Sequence, residues 1–232
     1  MSTERASTVL DRIIAAHRKA SEADKRWLDA TMTAAFEAPD PRDFRGLLRV
    51  AALRTGRPAV IAEIKRRSPS KGDLAPDLDP AALARAYQSA GASALSVLTD
   101  VEFFGGSPDD LKAARAAAPD LPILRKDFTV DGRDVADARA MGADAVLLIV
   151  AAISPGDLSR LRGLAAGLGL AAVVEVHDEA QLRIALKAGA DIIGVNQRDL
   201  RTFEVDPDRA ARLAALIPDG VMKIAESGIH TP

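Results

Sequence analysis

The sequence predicts an α/β fold: a (β/α)₈ TIM barrel with an N-terminal helical extension, here lacking its last helix–strand–helix unit. Three observations predict it. From Ala59 onward, short aliphatic runs alternate with Ala/Leu/Arg-rich segments of helical period, the pattern of a parallel sheet covered by helices. No G-x-G-x-x-G follows the first strand, as a dinucleotide-binding open sheet would require. Polar and charged residues stand at the C-terminal ends of several strands rather than at one switch point, which is how barrel sites are built.

Residues 1–55 form the extension and residues 56–232 the barrel. In the extension, "TVLDRIIAAHRKA" puts Val9, Leu10, Ile13 and Ile14 on one helical face, "EAPDPRD" is a loop, and "DFRGLLRVAAL" is a second amphipathic helix. The strand candidates are 59–65, 94–99, 122–126, 145–150, 172–176, 192–196 and 222–226, with helices over 80–90, 109–117, 133–140, 156–166, 178–188 and 206–216. Three helices close on one phrase, "AGASAL", "MGADAV" and "AGADII", whose Gly suits a left-handed helix end. Seven strands are present where a barrel has eight, and Thr231-Pro232 reads as the start of the next helix.

Composition narrows the function. Lys plus Arg total 31 against 33 Asp plus Glu, so charge balance points to neither nucleic acid nor an anionic membrane. There is no cysteine, which excludes disulfides, thiol catalysis and thiolate metal sites. The first residues mix acids and bases and show no signal peptide. The longest apolar run, "AVLLIVAAI", is about half the roughly 20 residues a membrane span needs. A soluble, cytoplasmic protein is the expectation.

The chemistry gathers at the strand ends. In a parallel barrel these share one mouth: Glu63 and Lys65, Lys126 and Asp127, Glu175 and His177, Asn196, Glu226 and Ser227. Unpaired buried charge is costly, so carboxylates and lysines on five strands suit a general acid and base working together better than a structural network. "SPSKG" after the first strand, with Ser68, and "ESG" after the last, with Gly228, are candidate phosphate contacts. Phe103, Phe104 and Phe128 lie just past strand ends and would give a ring-shaped substrate an apolar wall. His17, His177 and His230 show no metal-ligand spacing, and His177 is placed on the strand face opposite Glu175. The histidine spacing points to no metal site.

"AEIKRRSPSKG", "ALSVLTDVEFFGGS", "PILRKDF", "GADAVLLIVA", "VVEVHDEAQL", "GVNQRDLRTFEVD" and "ESGI", in this order, resemble the successive motifs of indole-3-glycerol-phosphate synthase. The resemblance implies a carboxy-lyase of tryptophan biosynthesis. It closes the indole ring of 1-(2-carboxyphenylamino)-1-deoxyribulose 5-phosphate, releasing carbon dioxide and water without a cofactor. Carried over by motif, Lys126 is the general acid on the ketone oxygen, Glu175 its acid/base partner, and Glu63 the second carboxylate that tunes that partner. Lys65 bridges substrate carboxylate and phosphate. Asn196, Arg198, Glu226 and Ser227 contact the substrate, Phe128 walls it, and Ser68 and Gly228 serve the phosphate. The implied partner is a small phosphorylated molecule, and the full-length form is expected to be a monomer or weak homo-oligomer. Two other readings are another phosphate-binding barrel, such as phosphoribosylanthranilate isomerase, and a C-terminally truncated barrel that binds without turnover. The family's phosphate site also uses a loop after the eighth strand.

Overall fold

The computed structural model describes residues 8–199 and 201–229, so Thr231-Pro232 and His230 lie outside the described residues. Three helices come first: α1 (Val9–Ala23), α2 (Leu28–Glu37) and α3 (Phe44–Thr55). The alternating part follows as β1 (Ile61–Ile64), the short strands β2 (Arg67–Ser68) and β3 (Gly72–Asp73), α4 (Pro80–Ser89), β4 (Ala94–Leu98), α5 (Pro108–Ala117), β5 (Ile123–Lys126), α6 (Gly132–Ala140), β6 (Ala145–Ile149), α7 (Pro155–Gly167), β7 (Ala171–Val176), α8 (Glu179–Lys187), β8 (Ile192–Asn196), α9 (Arg209–Ala214) and β9 (Met222–Glu226).

β1 and β4 to β9 make one 7-stranded sheet in chain order, every pairing between neighbours parallel. Flat, β5 and β9 would lie four strand spacings apart, roughly 19 Å. Lys126 at the end of β5 nevertheless reaches Glu226 at the end of β9 at 2.6 Å. The sheet is therefore curled as a barrel is, and β1 and β9 are its edges among the described residues. β4, β6 and β8 are buried along their whole length, as strands covered on both faces must be.

The helices begin where side-chain acceptors allow. Asp79, Ser107 and Ser154 cap α4, α5 and α7, each followed by Pro in the first turn. The repeated glycine phrase ends α4, α6 and α8 identically. After α4, Gly91 has φ +87, its N–H donates to the Gln88 carbonyl, and the Ala92 N–H donates to Tyr87 at 3.0 Å. Gly142 and Gly189 repeat these bonds.

The extension divides. α1 buries Leu10, Ile13 and Ile14 at the mouth. α2, which the sequence reading left unassigned, packs on α6. α3 begins at the opposite end, where Arg42, Phe44 and Arg45 share a cleft with Leu170, Ala171 and Ile192. "SPSKG", the candidate phosphate contact, is the turn of the β2–β3 hairpin, held by the Leu74 and Ala75 N–H groups on the Arg66 carbonyl.

Buried Asp144 ties the far end together. Its carboxylate accepts the backbone N–H of Arg42 and of Ile123, each at 2.7 Å, and the Arg115 guanidinium. Asp144→Ala leaves that guanidinium with carbonyl partners but no carboxylate, and should lower the unfolding free energy by about 3–5 kcal/mol. Urea denaturation measures this; a loss below about 1 kcal/mol would show the network to be dispensable.

Candidate active site

The strand ends converge on Lys126. Its Nζ donates to Glu175 Oε2 at 2.8 Å and to Glu226 Oε2 at 2.6 Å. Asn196 Nδ2 donates to Glu175 Oε1 at 3.2 Å, and Asn196 Oδ1 accepts the Arg198 N–H. Asn196 is thus engaged on both sides and orients Glu175.

Room for Glu226 comes from Gly194 on β8, where a Cβ would lie 2.0 Å from Glu226 Oε1. Only glycine leaves that space.

The two carboxyls are unlike. Burial pushes Glu175 up, but Lys126, His177 and Asn196 together outweigh it and hold its pKa below the usual range. Burial also pushes Glu226 up. There Lys126 is opposed by the charges of Glu175 and Glu63, and the pKa rises to about 7. Glu226 Oε1 is buried without a partner. Burial works against the Lys126 ammonium, and its two carboxylates more than compensate, so its pKa is raised. At neutral pH the cluster is an ammonium, a firm carboxylate and a carboxyl poised to change state.

Around the cluster lies a cavity of about 460 Å³, the size of a small-ligand site. Lys65, Ser68, Arg198, Ser227 and Gly228 line it with the cluster. Phe104 and Phe128, ring centroids 6.1 Å apart, form an apolar wall that Leu10 and Ile13 of α1 extend. Ser227 and Gly228 have φ +66 and +67, a conformation rare for serine that marks a turn held under constraint. Gln197 Nε2 holds it by donating to the Ser227 carbonyl at 2.8 Å.

The structure changes the reading of four residues. Glu63, expected to tune Glu175, instead pairs with Lys65, and the second carboxylate on Lys126 is Glu226. Asp127 lines the cavity, but its carboxylate is already engaged: it accepts from Thr99, from Arg125 at 2.8 Å and from the Phe128 N–H. Phe103 packs against the core rather than lining the cavity. His177 is not on the opposite face, for its Nε2 lies 3.5 Å from Glu175 Oε1. Residues i and i+2 at a strand end share a face, so the signal was present in the spacing.

His17 has a role that its sequence position does not reveal. Its Nε2 lies 2.8 Å from Asp100 Oδ2, and its ring packs on Phe128. This fastens α1 over the mouth. His17, Asp100 and Asp127 have ligand-type atoms within 4.8 Å of one another. The carboxylate oxygens already accept, Asp100 from Phe103, Phe104 and the His17 ring, and Asp127 from the donors above. The group is built as a latch, not as a cation site.

Residues 10–232 match the family described as Indole-3-glycerol phosphate synthase. An indole-3-glycerol phosphate synthase of Parafrankia sp. is 55% identical over 194 residues, 84% of this chain and 70% of that protein. Indole-3-glycerol phosphate synthase 2 of Streptomyces coelicolor is 54% identical over 196 residues, 84% of this chain and 74% of that protein. The synthase of Roseiflexus sp. is 51% identical over 234 residues, 97% of this chain and 85% of that protein.

The unequal carboxyls are testable without turnover. Carboxyl-carbon NMR should show Glu226 titrating near pH 7, with Glu175 ionised well below that. Removing the ammonium with Lys126→Met should move the Glu226 midpoint upward, because Lys126 favours its charged form. A Glu226 midpoint in the ordinary carboxylate range would contradict the geometry.

Proposed function

Because the chain belongs to the indole-3-glycerol phosphate synthase family, we propose that Lys126, Glu175 and Glu226 carry the ring closure, with Lys126 as general acid. The observation that supports this is the Lys126 ammonium held between two carboxyls of opposite tendency at the base of one cavity.

The substrate, 1-(2-carboxyphenylamino)-1-deoxyribulose 5-phosphate, offers an aromatic ring, a carboxylate, a ketone and a phosphate. The ring lies against Phe104 and Phe128. Lys65 takes the carboxylate and phosphate charge, with Ser68, Ser227 and Gly228 at the phosphate. The ring carbon bearing the carboxylate attacks the ketone carbon, and Lys126 Nζ gives its proton to the ketone oxygen. The bond to carbon dioxide then breaks, and its electrons restore the aromatic ring. Glu175 takes a proton from C1′ as the hydroxyl leaves as water, which forms the indole double bond.

Two protons leave with that oxygen and C1′ supplies one, so one proton per turnover enters from solvent. The reaction class is a carboxy-lyase and the product indole-3-glycerol phosphate. We place the activity in the cytoplasm, in a monomer or weak oligomer. Among the described residues no helix is long and apolar enough to cross a membrane.

Indole fluorescence follows the reaction. Lys126→Ala should lower kcat by roughly 10²–10⁴-fold, the range of general acid catalysis, with KM moved less. Lys65→Ala should do the reverse, raising KM strongly because it removes a charge-assisted contact to a dianion. Near-normal kcat in Lys126→Ala, or exchanged phenotypes, would overturn these roles.

A further inference from the structure

Glu175 must gain and lose a proton in each turnover, yet it is only 1% exposed. Lys126 and Asn196 occupy it from the cavity side. On its remaining side stands His177, which does not line the cavity and to which the steps above give no part.

The state of the His177 ring can be deduced from its neighbour. The His177 backbone N–H donates to Gln181 Oε1 at 3.0 Å, and Gln181 Nε2 donates to Asp178 Oδ2 at 3.3 Å. A backbone N–H can only donate, so the atom it meets is the amide oxygen. Nδ1 lies 3.3 Å from that same oxygen, and the contact is a hydrogen bond only if Nδ1 carries the proton. Nε2 is then the nitrogen free to change state. It is buried, has no other partner, and lies 3.5 Å from Glu175 Oε1. A bare imidazole nitrogen and a carboxylate oxygen would present lone pairs to each other; one proton between them removes the conflict.

We propose that His177 is a positioning residue for Glu175: Gln181 locks its ring so that Nε2 faces Oε1, and the pair shares one proton. The inference rests on Glu175 acting as the base. When Glu175 takes the proton from C1′ the pair holds two protons, and one of them leaves to solvent, which restores the carboxylate and the single shared proton. No redox partner and no bond other than O–H and N–H is involved. The charged groups facing the ring are Glu175 from β7 and Asp199 from the segment after β8. Asp178 at the start of α8 holds Gln181.

Two measurements test this. The first is kcat of His177→Asn relative to the parent across pH. The imidazolium favours the carboxylate, so its loss should make Glu175 harder to ionise. The ratio should fall progressively toward acid pH, approaching about 0.1 below both midpoints for a shift of one pKa unit, a factor of ten, and recover to within about threefold of unity near about pH 8. KM should stay within about twofold, because His177 does not line the cavity. Gln181→Ala, which frees the ring, should shift the ratio in the same direction by less. A merely structural lesion would lower kcat by one factor at every pH, and a flat ratio overturns the proposal.

The second is ring-nitrogen NMR of the unliganded chain, which tests the geometry independently of the role of Glu175 in turnover. Nδ1 should carry its proton, and Glu175→Gln should change the Nε2 signal, since Nε2 faces Glu175 Oε1. A neutral ring with its proton on Nε2, or an Nε2 signal unchanged by Glu175→Gln, overturns the pairing even if Glu175 is the base.

Discussion

The site depends on one ammonium removed from water. Burying the Lys126 charge alone would be prohibitive, and two carboxyls contributed by β7 and β9 make it tolerable. That requirement reaches back into the fold. Lys126 can meet Glu226 only if the sheet curls, so the charge cluster and the barrel curvature specify each other. Gly194 belongs to the same constraint, since any side chain there would occupy the place of the Glu226 carboxyl. A buried triad of this kind is a weak contributor to stability and a strong contributor to geometry, which is what a proton-transfer site needs.

A second polar network holds the strand ends beneath it. Arg125 donates to Thr99, to Asp127 and to the Asp134 carbonyl, linking β4, β5 and α6 on the side of the sheet away from the cavity. Alternate residues of β5 therefore serve opposite faces: Arg125 outward to the helices, Lys126 inward to the chemistry. Asp127 then stations Phe128 through its backbone, and Phe128 meets His17 of α1. The apolar wall and the covering helix are consecutive links of one chain of contacts that starts beside Lys126.

Most of the fold was legible because it follows periodicity. Every long strand and every helix from α4 onward lies within a few residues of its expected place, and the glycine phrase marks three helix ends by a backbone requirement visible in sequence. α2 escaped because "LDATMTAAFE" begins after Trp27, which offers no capping acceptor, and presents little contrast between its faces. The β2–β3 hairpin escaped because it is two residues to a side, and "SPSKG" read alone is only a turn. In the site, residue types and strand ends were legible, whereas partners were not. Glu63 and Glu226 look equivalent in sequence. Which of them reaches Lys126 is decided by the curl of the sheet and by Gly194, and neither is a local property. The face of His177 was readable from the i, i+2 spacing but was placed wrongly.

The empty site holds its proton too well to give it away. Two carboxyls raise the pKa of Lys126, and a lysine so held is a poor acid. On the proposed roles this is an advantage rather than a defect. A ketone oxygen entering between Nζ and one carboxyl takes over that hydrogen bond, and as negative charge grows on the oxygen the bond strengthens. Glu226 is the carboxyl placed to yield: its pKa of about 7 lets it go neutral near working pH, whereas Asn196 and His177 keep Glu175 charged. The ammonium then becomes a better donor in the transition state than in the resting enzyme, which is the difference that lowers a barrier. Two identical carboxylates could not do this, because neither would release the lysine without the other. On the proposed roles, the asymmetry between Glu226, for which Gly194 makes room, and Glu175, held by Asn196 and His177, is what turns a stable ion cluster into an acid.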